Sequence, residues 1–190
     1  MVSYRSPFFI TILLLYLVAG TLYATLTPNW QAPDEPAHYN YIRYLATQQR
    51  FPELVDACYD QAYLTELTTR RFSPELPVDN VCYEFHQPPL YYLLQTPIYW
   101  LSQGSLLALR LTSVLLGAGV VILAFLISKT IKPDHPAIVY GTMAFVAFVP
   151  MHLTMLSSVN NDALAEFILA ILLLLLIRRL NAGQSKKLNQ

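Results

Sequence analysis

Four long apolar stretches dominate the chain, separated by segments of very different polarity. Residues 8–26 (FFITILLLYLVAGTLYATL) carry no charge, and roughly 20 apolar residues suffice to cross a bilayer. A second stretch covers 105–128 and is interrupted only by Arg110. A third covers 136–156, and a shorter fourth, 161–177, ends at Arg178 and Arg179. This pattern predicts an all-α integral membrane protein: one transmembrane domain over 1–180, with about four transmembrane helices. Juxtamembrane or interfacial helices are expected in a long first external loop, 27–104. The polar tail 181–190 (NAGQSKKLNQ) is expected to be disordered.

Within the loop the periodicity is weaker. Asp34 is placed to cap a helix with Pro36 in its first turn. Tyr41, Ile42, Tyr44 and Leu45 then give residues 35–49 a partly apolar face that suits the membrane surface. Residues 51–85 are irregular, with a short helix expected over 60–71. Residues 88–103 are apolar but contain Gln95 and Pro97 and are dense in Tyr and Trp. Such aromatics sit at headgroup level, so this stretch reads as an interfacial or re-entrant helix.

Composition supports the membrane reading. The 190 residues are 55% hydrophobic and 13% charged, with a mean hydropathy of +0.40; soluble domains carry about 25% charged residues. The first stretch also exceeds the roughly 7–15 residues of a signal-peptide core and lacks an A-x-A site, which favours a retained span. Orientation follows the basic residues. With the N-terminus in the cytoplasm, Arg5, Lys129, Lys132, Arg178, Arg179, Lys186 and Lys187 all fall inside, seven of the twelve Lys and Arg. The expected location is therefore the plasma or inner membrane, both termini cytoplasmic and 27–104 external. Zero net charge gives no electrostatic reason to expect nucleic acid. Cys58 and Cys82 both lie in the external segment, where an oxidising compartment would join them; two free thiols are the alternative.

Carboxylates at a membrane are costly and mark candidate sites. Asp34 and Glu35 follow the first span, and His38 shares a helix face with Asp34. Asn160, Asn161 and Asp162 stand where the third span should emerge. Glu166, on the same face as Asp162, lies one turn inside the apolar run and needs a partner. In the expected topology Asp34, Glu35, His86, Arg110, Asp162 and His152 meet at the external face. Acids beside an arginine suit a transfer reaction involving a phosphate. No G-x-S-x-G, P-loop, H-E-x-x-H or C-x-x-C motif competes.

Four ordered blocks, PDEPAHYNYIRYLA, HQPPLYYLL, LRLTSVLLGAGVVILAFLIS and SSVNNDALAEFILAILLLLL, resemble the front half of GT-C membrane glycosyltransferases. The most similar branch includes protein O-mannosyltransferases and bacterial aminoarabinose transferases. The resemblance implies transfer of a sugar from a polyprenyl-phosphate carrier to a glycan, lipid or protein acceptor at the external face. It implies Asp34 as catalytic base, Glu35 as its support, and Asp162 as a second acid that contacts the acceptor or a divalent metal, the one cofactor expected. Arg110 is a candidate for the carrier phosphate by charge and depth, with His86, His38 and Glu166 as further substrate-binding candidates. His86 stands where some relatives carry Glu. Such enzymes have ten or more spans, so the expectation is an N-terminal part, or one half of an enzyme completed by a second chain. A non-catalytic membrane protein of the same architecture, acting as a binding or assembly partner, is the alternative; a small transporter is a third.

Overall fold

The computed structural model describes residues 2–55 and 58–188, with backbone alone from 183 onward. All regular structure among the described residues is helical. The helices are α1 (Pro7–Leu26), α2 (Glu35–Gln48), α3 (Gln61–Thr69), α4 (Leu90–Leu101), α5 (Leu106–Ile131), α6 (Pro136–Phe148), α7 (Pro150–Met155) and α8 (Asp162–Leu188). A 3₁₀ turn, Tyr83–His86, precedes α4. By length and composition, α1 and α5 are long and apolar enough to cross a membrane.

Two of the expected boundaries are corrected. The stretch 136–156 is not one helix: α6 stops at Phe148 and α7 begins at Pro150. Proline has no N–H and disfavours helical backbone in the residue before it, and Val149 is extended, at φ −64° and ψ 118°. The tail is also more ordered than its polarity suggests, because α8 continues to Leu188; residues 189 and 190 lie outside the described residues. Helix α4, with 12 residues, is about 18 Å long, well short of the roughly 30 Å hydrocarbon core.

Two packed clusters organise the helices. Tyr16 and Ala24 of α1 meet Val114, Ala118, Val121 and Phe125 of α5 and Val139 and Met143 of α6. Gly117 and Gly119 permit this approach on two sides of α5. A Cβ at Gly117 would overlap the Tyr16 hydroxyl, and one at Gly119 would overlap the Phe167 ring of α8. The second cluster lays α2 and α4 on the starts of α5 and α8, through Tyr41, Ile42, Tyr91, Tyr92, Leu109, Val159 and Leu164. The rings of Tyr41 and Tyr92 stack at 3.7 Å, 1° from parallel. The loop between α2 and α4 packs Leu67 and Val81 on Ala37 of α2 as a small core. It is closed by a disulfide between Cys58 and Cys82, 24 positions apart. This second cluster carries the candidate site.

Candidate functional site

The site is built around a buried ion pair. Arg110 sits in the second turn of α5, 2% exposed, and Glu35 at the start of α2 is fully buried. Arg110 donates from Nε and Nη2 to the two Glu35 carboxylate oxygens at 2.7 and 2.6 Å. Its Nη1 donates to the carbonyls of Ala24 and Thr27, at 2.9 and 2.7 Å. Nη2 also reaches the Pro28 carbonyl at 3.2 Å. A guanidinium has five N–H donors, and all five are used. Buried charges are tolerated when paired and fully hydrogen-bonded, and this pair meets that condition.

Glu35 is equally saturated. Besides the two bonds from Arg110 it accepts the backbone N–H of Trp30 and of Val159, both at 3.2 Å. One carboxylate thus ties together the exit from α1, the start of α2, the second turn of α5 and the turn leading into α8. The phosphate-binding reading of Arg110 is corrected here, because this buried arginine has no donor left for a ligand. Glu35 cannot take up a substrate proton without losing one of these bonds; its geometry is that of a positioning residue.

Asp34 is the opposite case. It occupies the N-cap position of α2, but with left-handed backbone, φ 58°, and without a side-chain cap bond. The capping expectation therefore fails: the helix start is satisfied by the Asp34 carbonyl, which accepts from Ala37 and His38 at 3.0 and 3.1 Å. Its carboxylate is left exposed and accepts from the Tyr83 hydroxyl at 2.8 Å. Burial, and then that hydrogen bond to Asp34, hold the Tyr83 phenol well above its ordinary range, so it stays a donor. Left-handed backbone at a residue other than glycine costs of order 1–3 kcal/mol and persists where surroundings enforce it. Trp30 is left-handed too, at φ 68°, so the segment 30–34 is wound around the Arg110–Glu35 pair. Asp34 opens onto a cavity of about 420 Å³ lined by Trp30, Pro36, Tyr59, Leu64, Phe72 and Tyr83 among others.

Asp162 begins α8. The capping there falls to Asn160, whose side-chain oxygen accepts the Asp162 N–H at 2.8 Å, and Asn160 is itself buried, its N–H donated to the Tyr91 hydroxyl at 3.1 Å. The Asp162 carboxylate is exposed, with no hydrogen-bond partner among the described residues, and lies within electrostatic reach of Asp34 and Glu166. It does not line the Asp34 cavity. The loop before α4 is held against this turn by Gln87, which accepts from Asn161 at 3.1 Å and donates to Glu84 at 2.7 Å.

The histidines divide. His38 is buried, 2% exposed, and shares a 2.8 Å hydrogen bond with the Tyr92 hydroxyl. Burial pushes its pKa down to about 4; Asp34 opposes that fall and His86 adds to it. His38 is thus a neutral packing group rather than a solvated one. His86 is exposed, with Nδ1 on the Tyr83 carbonyl at 2.8 Å. Glu166 finds the partner that its depth demanded: its Oε2 is 2.6 Å from His152 Nε2, whose Nδ1 donates to the Val146 carbonyl at 2.8 Å.

The residues brought together are therefore Asp34, His38, His86, Glu35, Arg110 and Asp162, with Tyr83 and Tyr92 as members that the spacing of charges could not single out. No three His, Cys, Asp or Glu side chains among the described residues are grouped to hold a metal ion, so Asp162 has no co-ligands there. No protein-family model, curated protein or solved structure matches this chain.

Proposed function

We propose that this chain is a membrane-embedded glycosyltransferase, or the N-terminal catalytic part of one, using a polyprenyl-phosphate-linked sugar at the external face. In this reading the stretches within α1, α5, α6–α7 and α8 cross the bilayer, both termini are cytoplasmic, and residues 27–104 lie outside. The observation that carries it is the contrast between the two adjacent acids: Glu35 is buried and saturated, while Asp34 is exposed, strained and free of any capping duty. Strain and pinning at a residue whose carboxylate faces a cavity are arrangements that functional sites use.

The chemistry follows. Asp34 takes the proton of the acceptor hydroxyl as that oxygen attacks the anomeric carbon. The bond from that carbon to the carrier phosphate breaks, and the phosphate oxygen leaves with the electron pair, inverting the centre. Tyr83 orients the Asp34 carboxylate, while Asp162, outside the Asp34 cavity, acts on it only through its charge. The carrier phosphate is already a good leaving group, so positioning and a base supply most of what is needed. A non-catalytic binding or assembly role is favoured by one observation: Arg110 offers nothing to a phosphate. The exposure of both the Asp34 and the Asp162 carboxylates weighs against it.

The test is glycosyl transfer in membranes from labelled polyprenyl-phosphate sugars, comparing the chain with Asp34→Asn, each with and without the neighbouring reading frame. Transfer that requires Asp34 supports the catalytic reading, and a requirement for the neighbour identifies a two-chain enzyme. No transfer in any combination, from inserted and folded protein, supports the non-catalytic one.

A further inference from the structure

The walls of the Asp34 cavity have a chemistry that sugar transfer does not call for. Four aromatic residues, Trp30, Tyr59, Phe72 and Tyr83, surround Asp34, the one charged side chain in the described lining. Tyr59 and Tyr83 form a corner, with ring centroids 6.3 Å apart and planes at 81°. Tyr59 is 62% exposed, and its hydroxyl donates to the Gln61 side chain at 2.8 Å. Each of these two tyrosines directly follows one half of the disulfide, Cys58 and Cys82, so the corner is set before any ligand arrives.

The backbone is bent to make this enclosure. Six non-glycine residues among those described have left-handed backbone, and three of them, Trp30, Asp34 and Phe72, line this one cavity. Such conformations are costly and gather at ligand clamps. The charge is equally one-sided. The exposed Asp34 carboxylate makes no ion pair among the described residues; Oδ1 accepts from Tyr83, and Oδ2 has no hydrogen-bond partner there. Asp162 and Glu84 add negative potential, the first toward Asp34 and the second toward Tyr83. Arg110 is taken up by Glu35, and Arg71 lies outside the lining.

A negative cavity walled by aromatic rings and open to solvent selects an organic cation. An anion is repelled by Asp34, and a metal ion lacks the further His, Cys, Asp or Glu ligands it would need. A neutral apolar ligand uses the rings and leaves the charge idle. An ammonium bearing methyl groups uses both, its carbons against the rings and its charge against the π systems and the carboxylate. We propose that the Asp34 cavity binds a methylated ammonium group of the choline type, seated among Trp30, Tyr59, Phe72 and Tyr83 with Asp34 as its counter-charge. The site stands whether or not Asp34 also takes a proton in sugar transfer; where it does both, the acceptor carries its ammonium beside the hydroxyl that attacks.

The full chain in phosphatidylglycerol nanodiscs, without any sugar donor, is titrated with tetramethylammonium, choline and dimethylbutanol, the neutral carbon isostere of choline. Saturation-transfer difference NMR of the methyl protons reads the binding. Both cations are expected to bind, and the isostere about tenfold more weakly or not at all. Asp34→Asn keeps an acceptor for Tyr83 and tolerates left-handed backbone, and should weaken choline binding about threefold or more. Tyr59→Leu, at an exposed position, keeps an apolar wall without its π system and should also weaken choline binding about threefold. Repetition in phosphatidylcholine nanodiscs separates two sources: choline binding that is blocked there identifies a lipid headgroup as the occupant, and unchanged binding identifies a soluble cation. Wild-type protein with an intact disulfide and a cooperative melt that binds neither cation overturns the proposal. So does equal binding of the isostere, or choline binding that keeps its full strength in both variants. Sugar transfer without choline binding overturns this proposal alone, and choline binding without transfer leaves it standing while the transfer reading fails.

Discussion

The Glu35 carboxylate accepts the backbone N–H of Val159, 124 positions further along the chain, at 3.2 Å. Asp34 precedes that carboxylate by one residue, and Asp162 follows that N–H by three. Asp34 and Asp162 are thus placed relative to one another by the buried Glu35 carboxylate between them. Arg110 locks the arrangement, because the same guanidinium holds the carbonyls at the end of α1.

Breaking the lock from one side should be severe. Arg110→Met leaves a buried carboxylate without its counter-ion, and Glu35→Gln leaves a buried guanidinium; each is expected to cost about 3–5 kcal/mol. Arg110→Met combined with Glu35→Leu should recover a large part of that loss, since an apolar pair leaves neither charge stranded. Denaturant melts of the three variants in one detergent measure the coupling. Additive losses would show that the two residues act independently.

Tyr83→Phe separates orientation from chemistry. The loop and disulfide stay in place, so stability should fall by about 1 kcal/mol, the net worth of one hydrogen bond. Transfer should drop by a smaller factor than in Asp34→Asn, because the base remains but turns more freely. Equal loss in both variants would mean that Tyr83 contacts the substrate directly.

His38 sets an acid limit. Its pKa falls from an ordinary 6.5 to about 4 in the folded protein, so between those values the unfolded chain binds more protons than the folded one. The stability contributed is full above pH 6.5, declines as pH falls toward 4, and amounts to about 3 kcal/mol. His38→Gln should flatten the stability curve across that window while lowering stability at pH 7 through the lost fit against Tyr92. A wild-type curve with no slope between pH 6.5 and 4.5 would contradict the burial seen here.

The glycines of α5 and α6 give a matched pair. Gly117→Ala brings a methyl against the Tyr16 hydroxyl and within 2.9 Å of Leu156 Cδ1, and overpacking of this kind costs about 1–3 kcal/mol. Gly141→Ala meets nothing within 4 Å and should be neutral or stabilising by up to about 1 kcal/mol through helix propensity. Thermal melts of both in the same lipid test the α1–α5 contact directly.

Much of the helical plan was legible from apolar run lengths, because a stretch such as 8–26 admits few other conformations. Helix α2 falls within a residue of where its first-turn proline and tyrosine spacing put it, and α3 lies inside the expected 60–71. The break at Val149 was not legible from hydropathy, which ignores the missing N–H of Pro150. The candidate acids were visible as charges out of place. Their roles were not, because a charge in an apolar setting announces that it needs a partner without saying which. The charge and depth of Arg110 suggest a ligand contact, whereas its five donors are met by one carboxylate and three carbonyls. Tyrosines abound in that loop, so nothing in the sequence singles out Tyr83 and Tyr92; only tertiary packing sets these two apart.

The interruption at Val149 bears on the lipid around the protein. Helix α6 has 13 residues, about 20 Å of rod, against a hydrocarbon thickness of about 30 Å. An element that falls short of the bilayer draws the leaflet inward at modest cost. If the α6–α7 pair crosses as proposed, the 6 residues of α7 supply about 9 Å more, and only the tilt between the two rods at Val149 thins the leaflet there.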